Sequence, residues 1–146
     1  MRVSGTVSSI LNQKGRHVYS IPAEATVFEA LQLMAEKNVG ALLVMSGGKL
    51  LGVMSERDYA RKVALKGKTS RETKVQEIIS SPAITATPSE TVEDCMKRMT
   101  GNRVRHLPIL EEGKLIGVVS IGDLVNWTIS AQHAAIEQLE SYITGL

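Results

Sequence analysis

The sequence has few aromatic residues, one cysteine and little net charge. Of its 146 residues only 3% are Phe, Trp or Tyr, and the formal net charge is +2. Surfaces that bind single-stranded nucleic acid combine stacked aromatic side chains with a strongly positive groove, so a nucleic-acid binder is not expected. The lone Cys95 has no partner for an internal disulfide, which is typical of a reducing compartment.

Long hydrophobic runs are also absent. A membrane-spanning helix needs roughly 18 or more apolar residues in succession, and the chain contains no such run. The first fifteen residues lack the apolar centre of a secretory signal peptide. The composition, 43% hydrophobic and 22% charged, is that of an ordinary globular protein. We therefore expect a cytoplasmic protein without a membrane segment.

What the chain does contain is an internal repeat. Residues 26–58 align without gaps on residues 91–123, at an offset of 65 residues. Each copy ends in Gly-Val-x-Ser-x-x-Asp, which is GVMSERD in the first and GVVSIGD in the second. Short segments before each copy, VSSIL and VQEII, also match. The sequence thus predicts two domains, a first repeat over residues 1–70 and a second over residues 71–146.

Each copy has the same predicted order of elements. Thr26 or Thr91 can cap a helix whose apolar positions recur at helical spacing. Two short apolar runs separated by a Gly-Lys turn predict a β-hairpin, and a second helix begins at the serine of the motif. The segments VYSI (18–21) and AITA (83–86) each predict one further strand. The fold class is therefore α+β, with two β-α-β-β-α repeats packed through their sheets and an extended C-terminal helix.

The repeated Ser-x-x-Asp has two interpretations. A serine at a helix start with an acid three residues later forms a capping box, which satisfies free backbone N–H groups. The same position after a strand is also a ready anion site, where the serine can donate to a phosphate and the aspartate can accept both hydroxyls of a ribose. Gly122 in the first turn of the second helix favours close approach of a ligand. Arg57, at the equivalent position, suits a phosphate or an exposed surface.

These paired motifs with matched spacing resemble cystathionine-β-synthase (CBS) domains, and the resemblance covers residues from about Val7 to Asn126. It implies a stand-alone pair of domains related by a pseudo-two-fold axis. It also implies clefts between the repeats that bind AMP, ADP, ATP or NAD, a homodimer, and regulation of a client protein. No enzymatic activity and no catalytic cofactor are implied.

The resemblance assigns residues to two unequal clefts. The first contains Ser55, Arg57, Asp58, Ile84, Val104, Arg105 and His106. The second contains Ser120, Gly122, Asp123, Val18, Tyr19, Val39, Gly40 and Ala41. Its arginines make the first cleft the expected site of a phosphorylated nucleotide, since arginine binds phosphate through paired hydrogen bonds. The other interpretation of residues 103–106 is an exposed helix end that leads into a strand.

Other chemistry lacks support in the sequence. GKTS (67–70) resembles the end of a P-loop but lacks the earlier glycine, because position 62 is Lys62. The histidines and Cys95 show no metal-ligand spacing, and Cys95 is expected to be buried. A small nucleotide-processing enzyme, a nucleic-acid binder and a structural dimer remain the alternative functions.

The last twenty residues carry an apolar stripe on a predicted helix. Ile129, His133, Ile136, Leu139 and Ile143 lie near one helical face. A stripe of this length needs to be covered. It either packs on its own domain or on a second copy of the chain.

Overall fold

The computed structural model describes residues 5–79 and 81–144. Their contacts divide the chain into two compact units. One unit is the continuous segment His17–Ile84, and the other combines the N-terminal residues up to Arg16 with the chain from Thr85 onward. Each unit contains one copy of the repeat.

The continuous unit has the predicted β-α-β-β-α order. Its elements are β1 (Ser20–Pro22), α2 (Val27–Lys37), β2 (Ala41–Ser46), β3 (Lys49–Ser55) and α3 (Glu56–Tyr59), and α3 continues as a π-helical turn, Ala60–Ala64. β1 pairs in parallel with β2, and β2 pairs antiparallel with β3. A short 3₁₀ helix, Val75–Glu77, closes the unit. The two helices cover one face of a three-stranded sheet, where Val27, Met34 and Val63 are fully buried.

The discontinuous unit begins with helix α1 (Val7–Lys14) and resumes after Thr85. Its further elements are α4 (Val92–Asn102), β4 (His106–Glu111), β5 (Lys114–Ser120) and the long helix α5 (Ile121–Thr144). β4 and β5 form an antiparallel hairpin. Val92, Cys95 and Met99 of α4 are buried at helical spacing, and burial raises the pKa of the Cys95 thiol to about 11. The α+β class, the repeat and the extended C-terminal helix predicted from the sequence are confirmed.

The strand predicted at residues 83–86 was wrong in extent, since only Ala86 pairs, in a parallel bridge with Ile109. The cause is a single proline. In the first copy the N–H of Leu43 donates to the carbonyl of Tyr19 at 3.0 Å. The equivalent residue of the second copy is Pro108, which has no N–H to donate. The second sheet therefore keeps two strands and one bridge.

The segment that precedes each copy packs with the other copy. Thr6 bridges Thr91, and the N–H of Val7 donates to Glu90 O at 2.9 Å. In the other unit Lys74 bridges Thr26, and the N–H of Val75 donates to Ala25 O at 2.9 Å. The compact units therefore differ from the sequence division at residue 70. The cause is that residues 7–14 and 75–79 bury their apolar side chains in the unit formed by the other copy.

Candidate functional site

The Ser-x-x-Asp of the first copy forms a complete capping box. Asp58 Oδ2 accepts hydrogen bonds from the backbone N–H of Ser55 at 2.9 Å and from its hydroxyl at 3.0 Å. Ser55 Oγ in turn accepts from the N–H of Asp58 at 3.1 Å. Ser55 ends β3 in extended conformation, so the box lies where the strand becomes the helix. The capping interpretation is confirmed as geometry, and it fixes the carboxylate beside the helix start.

The second copy reproduces this arrangement at the junction of β5 and α5. The N–H of Ser120 donates to Asp123 Oδ2 at 2.8 Å, and the N–H of Asp123 donates to Ser120 Oγ at 3.1 Å. Both aspartates are half-buried and both serines are half-buried. Capping by itself does not require this placement, since Thr91 and Asp94 form the same box at a helix that follows no strand. Unlike the box of α4, both Ser-x-x-Asp boxes lie at a point where a strand becomes a helix.

The start of the hairpin lies next to the serine in each unit. In the first, Gly40 O accepts from the N–H of Glu56 at 3.1 Å, and Ala41 is the strand partner of Ser55. In the second, Arg105 O accepts from the N–H of Ile121 at 2.8 Å, and His106 is the strand partner of Ser120.

We call Ser55, Asp58, Gly40 and Ala41 the Asp58 site, and Ser120, Asp123, Arg105 and His106 the Asp123 site. These groupings lie within single units. The assignment of Arg105 and His106 to the cleft of Asp58, and of Gly40 and Ala41 to that of Asp123, stays a prediction from the resemblance.

A lysine that the sequence pattern did not single out contacts each aspartate. Lys62 Nζ, from the π-helical turn, lies 3.4 Å from Asp58 Oδ1 and donates to Ile78 O at 2.9 Å. Lys14 Nζ, from the end of α1, lies 2.6 Å from Asp123 Oδ2 and donates to Val118 O at 2.9 Å. The two lysines do not occupy equivalent positions in the two copies of the repeat. Lys62 could have been found by its i,i+4 spacing from Asp58, whereas only the packing of α1 brings Lys14 to its partner.

The electrostatics of the Asp123 site follow from these contacts. Burial is the strongest influence on the Asp123 carboxyl and favours its neutral form, but the bonds from Lys14 and Ser120 together lower its pKa below the usual value. Burial also lowers the pKa of His106, although the nearby Asp123 charge acts in the opposite direction. At neutral pH the site therefore holds an ionised Asp123 and a neutral His106.

The other predicted residues lie near these junctions with varied exposure. Arg57 and Gly122 are exposed in the first helical turn, and Val18, Val39, Val104 and Ile84 are half-buried. A Cβ added at Gly122 would lie 3.6 Å from Ser120 Oγ, which is an ordinary contact, so the fold does not require glycine there.

Tyr19 is half-buried and packs at the edge of the His17 ring, with centroids 4.5 Å apart. Lys37 Nζ lies 5.7 Å from the Tyr19 ring centroid. These contacts account for the position of Tyr19 without a ligand.

Two further kinds of function, metal binding and membrane insertion, each require a specific structural feature. Within residues 5–79 and 81–144, no cluster of three or more His, Cys, Asp or Glu side chains is arranged to hold a metal ion. Within the same ranges, no helix combines the length and the apolar character needed to cross a bilayer.

The comparisons with known proteins agree on one family. The CBS domain matches residues 7–65 and 75–130. The chain is 36% identical over 151 residues to the mitochondrial CBS domain-containing protein CBSX3 of Arabidopsis thaliana, covering 97% of this chain and 73% of that protein.

Solved structures give the same result. A candidate signal-transduction protein with CBS domains from Burkholderia ambifaria superimposes with a TM-score of 0.85 at 46% identity, covering 88% of this chain and 96% of that one. A hexameric CBS-CP12 protein from bloom-forming cyanobacteria superimposes with a TM-score of 0.75 at 28% identity, covering 83% of this chain and 70% of that one. Proteins with such domains are generally regulatory modules that bind adenosine ligands. The chain belongs to the CBS domain family.

Proposed function

We propose that this protein is a regulatory module that binds an adenine nucleotide, AMP, ADP, ATP or NAD, through the Ser-x-x-Asp of each repeat. The observation that carries the proposal is the duplicated strand-to-helix box, which fixes an ionisable carboxylate at the N-terminus of a helix. The carboxylate receives the two ribose hydroxyls, because it can accept from two donors at once. The positive end of the helix attracts the phosphate, and the serine hydroxyl can turn from the aspartate to donate to it.

We assign the phosphorylated nucleotide to the site that contains Asp58. Lys62 Nζ lies 3.4 Å from the Asp58 carboxylate, whereas Lys14 Nζ lies 2.6 Å from that of Asp123. Ribose hydroxyls therefore displace the lysine of Asp58 more easily. Arg57 is exposed one residue before Asp58 and is free to swing toward a phosphate. The Asp123 site binds more weakly, because its carboxylate already holds a close cation.

The output of the module is a change in affinity for a partner. A nucleotide can shift the protein between two arrangements only if it binds one of them more tightly. We propose a homodimer as the responding assembly and a client protein as its target, a role that the signal-transduction description of the Burkholderia relative supports. The chain itself performs no catalysis. Its cytoplasmic location stays a prediction, since one relative is named as mitochondrial.

Calorimetric titration with AMP, ATP and NAD tests the proposal. We expect saturable binding, and we expect Asp58→Ala to weaken it by about ten- to a hundredfold, since hydrogen bonds to a charged group contribute about 1.5–3 kcal/mol. Asp94→Ala is the matched control, because Asp94 closes the same capping box in α4 without a strand before it.

Both substitutions remove a cap and lower the melting temperature, whereas only Asp58→Ala should change nucleotide affinity. Equal affinities for the two variants would leave capping as the whole role of Asp58. Hydrolysis of the added ATP or NAD would instead indicate an enzyme.

A further inference from the structure

Helix α5 presents two distinct faces. Leu124 is buried, and Trp127, Thr128, Ala131 and Ala135 are half-buried, so these residues form the face that packs on the helix's own unit. A second face carries large apolar side chains that stay exposed, by 59% at Ile129, 52% at Ile136 and 61% at Leu139. From Ile136 to Ile143 every residue is exposed. The last two turns therefore extend past the unit that supports the first part of the helix.

The exposed face follows a heptad pattern. Steps of four and three residues alternate along it, which is the spacing of the a and d positions in a coiled coil. The a positions are Ile129, Ile136 and Ile143, and the d positions are Val125, Gln132 and Leu139. His133, which the sequence pattern placed on this stripe, lies beside it, with Nε2 3.0 Å from Glu137 Oε1.

An apolar row of this kind on a projecting helix needs a partner. The row fits a helix with the same spacing. Isoleucine at all three a positions, together with leucine at the d position 139, favours two parallel strands.

We propose that α5 forms a parallel, in-register, two-stranded coiled coil with α5 of a second copy of this chain. We call the row of Val125, Ile129, Gln132, Ile136, Leu139 and Ile143 the α5 seam. This inference rests on the homodimer proposed above and names its surface. It does not depend on nucleotide binding.

Gln132 decides the orientation. In a parallel pair it faces its own counterpart, and the two amides hydrogen-bond to each other. In any antiparallel register a positions face d positions, and all three a positions are isoleucine. Gln132 would then be buried against an isoleucine with its polar atoms unpaired. The flanking positions that meet in the parallel pair, Thr128 with His133 and Ala135 with Glu140, bring no like charges together.

Sedimentation equilibrium of the full chain tests the surface. We expect Ile136→Glu to weaken dimerisation by about a hundredfold or more, because an isoleucine is lost from both copies of a symmetric interface. The control is Ala134→Glu, on an exposed position of the opposite helical face, which should leave the dimer intact. Circular dichroism of both variants checks that they fold.

Oxidative cross-linking tests the orientation. Leu139→Cys should form a disulfide-linked dimer, since d faces d in a parallel pair, while Ala134→Cys should not. The buried native Cys95 should stay reduced in both variants.

The outcomes separate the seam from the rest of the proposal. If the Ile136→Glu variant still forms a dimer, the proposed seam is wrong, while the proposed homodimer is supported. A wild-type chain that stays monomeric would refute both. A failure of Leu139→Cys to cross-link in an intact dimer would refute the parallel pairing. None of these results bears on whether nucleotide binds at Asp58.

Discussion

Lys14 Nζ lies 2.6 Å from Asp123 Oδ2, although 109 residues separate the two in the sequence. The contact joins the end of α1 to the start of α5 within one unit. The same ammonium group binds Val118 O, so it links the helix, the strand and the carboxylate. The ion pair is partly open to solvent, with side-chain exposures of 32% and 22%.

The first prediction concerns the pH dependence of stability. Because the pKa of Asp123 is lowered in the folded protein, its ionisation stabilises the fold above the unfolded pKa of about 3.9. That stabilisation disappears as the pH falls through the folded pKa. We expect Lys14→Met to raise the pKa of Asp123, because burial would then be less opposed. At neutral pH this variant should lose at most about 1 kcal/mol of unfolding free energy.

Denaturant unfolding at several pH values measures this effect. The difference between wild type and Lys14→Met should shrink once the pH is low enough to protonate Asp123 in the wild type. The double variant Lys14→Met/Asp123→Asn closes the thermodynamic cycle. A zero coupling energy at neutral pH would show that the contact contributes nothing.

The second prediction compares two glycine-to-alanine substitutions. A Cβ on Gly117 would lie 2.9 Å from Leu11 Cδ2, and Leu11 is only 1% exposed. Gly117→Ala should therefore destabilise the protein by about 1–3 kcal/mol through overpacking. Gly101 lies in α4, and a methyl group added there would have nothing within 4 Å. Gly101→Ala should stabilise the protein by about 0.5–1 kcal/mol, because alanine favours helix.

Urea unfolding midpoints of these two variants should move in opposite directions. If Gly117→Ala unfolds at the wild-type midpoint, α1 does not pack closely on β5 in solution.

The third prediction concerns the hairpin turn of the second repeat. Glu112 has φ 51° and Gly113 has φ 79°, and the equivalent residues of the first repeat are Gly47 and Gly48 with φ 57° and 79°. The left-handed conformation costs most side chains about 1–2 kcal/mol, and asparagine tolerates it better. Glu112→Asn should therefore raise the melting temperature, and Gly47→Glu should lower it. A decrease for Glu112→Asn would refute the left-handed turn.

The fourth prediction distinguishes the effect of Gly122 on stability from its effect on ligand binding. The structure leaves room for a methyl group there, so Gly122→Ala should keep or slightly raise thermal stability. If a nucleotide approaches the backbone of this turn, the same methyl group should weaken binding at the Asp123 site severalfold. Titration of Gly122→Ala in the Asp58→Ala background isolates this site. Unchanged affinity there would place the ligand away from Gly122.

Local signals in the sequence predicted much of the fold. Thr26 and Thr91 cap their helices, with side chains that accept the N–H of Glu29 at 3.1 Å and of Asp94 at 3.0 Å. The Ser-x-x-Asp boxes and both hairpins also form between residues that are close in sequence. These features depend on residues close in sequence, which is why a repeat pattern reveals them.

Features that depend on tertiary packing were missed. Lys14 is the last residue of α1, and nothing in the repeat pattern marks it as a partner of Asp123. The exchange of the segments at Val7 and Val75 has no sequence signature either. Pro108 is different, because the missing strand bond could have been inferred from its lack of an N–H.

The exchange of segments has a consequence for synthesis on the ribosome. The unit His17–Ile84 is continuous, so it can close as soon as its last residue has emerged. Helix α1 is made earlier, yet Gly117, which lies against its Leu11, follows more than a hundred residues later. At a translation rate of about 5–20 residues per second, roughly 5–20 seconds pass between the synthesis of α1 and the synthesis of the strand on which it packs. Helix α1 is thus translated before the unit His17–Ile84 but buried after it, and during that interval it is exposed to chaperones and to other nascent chains.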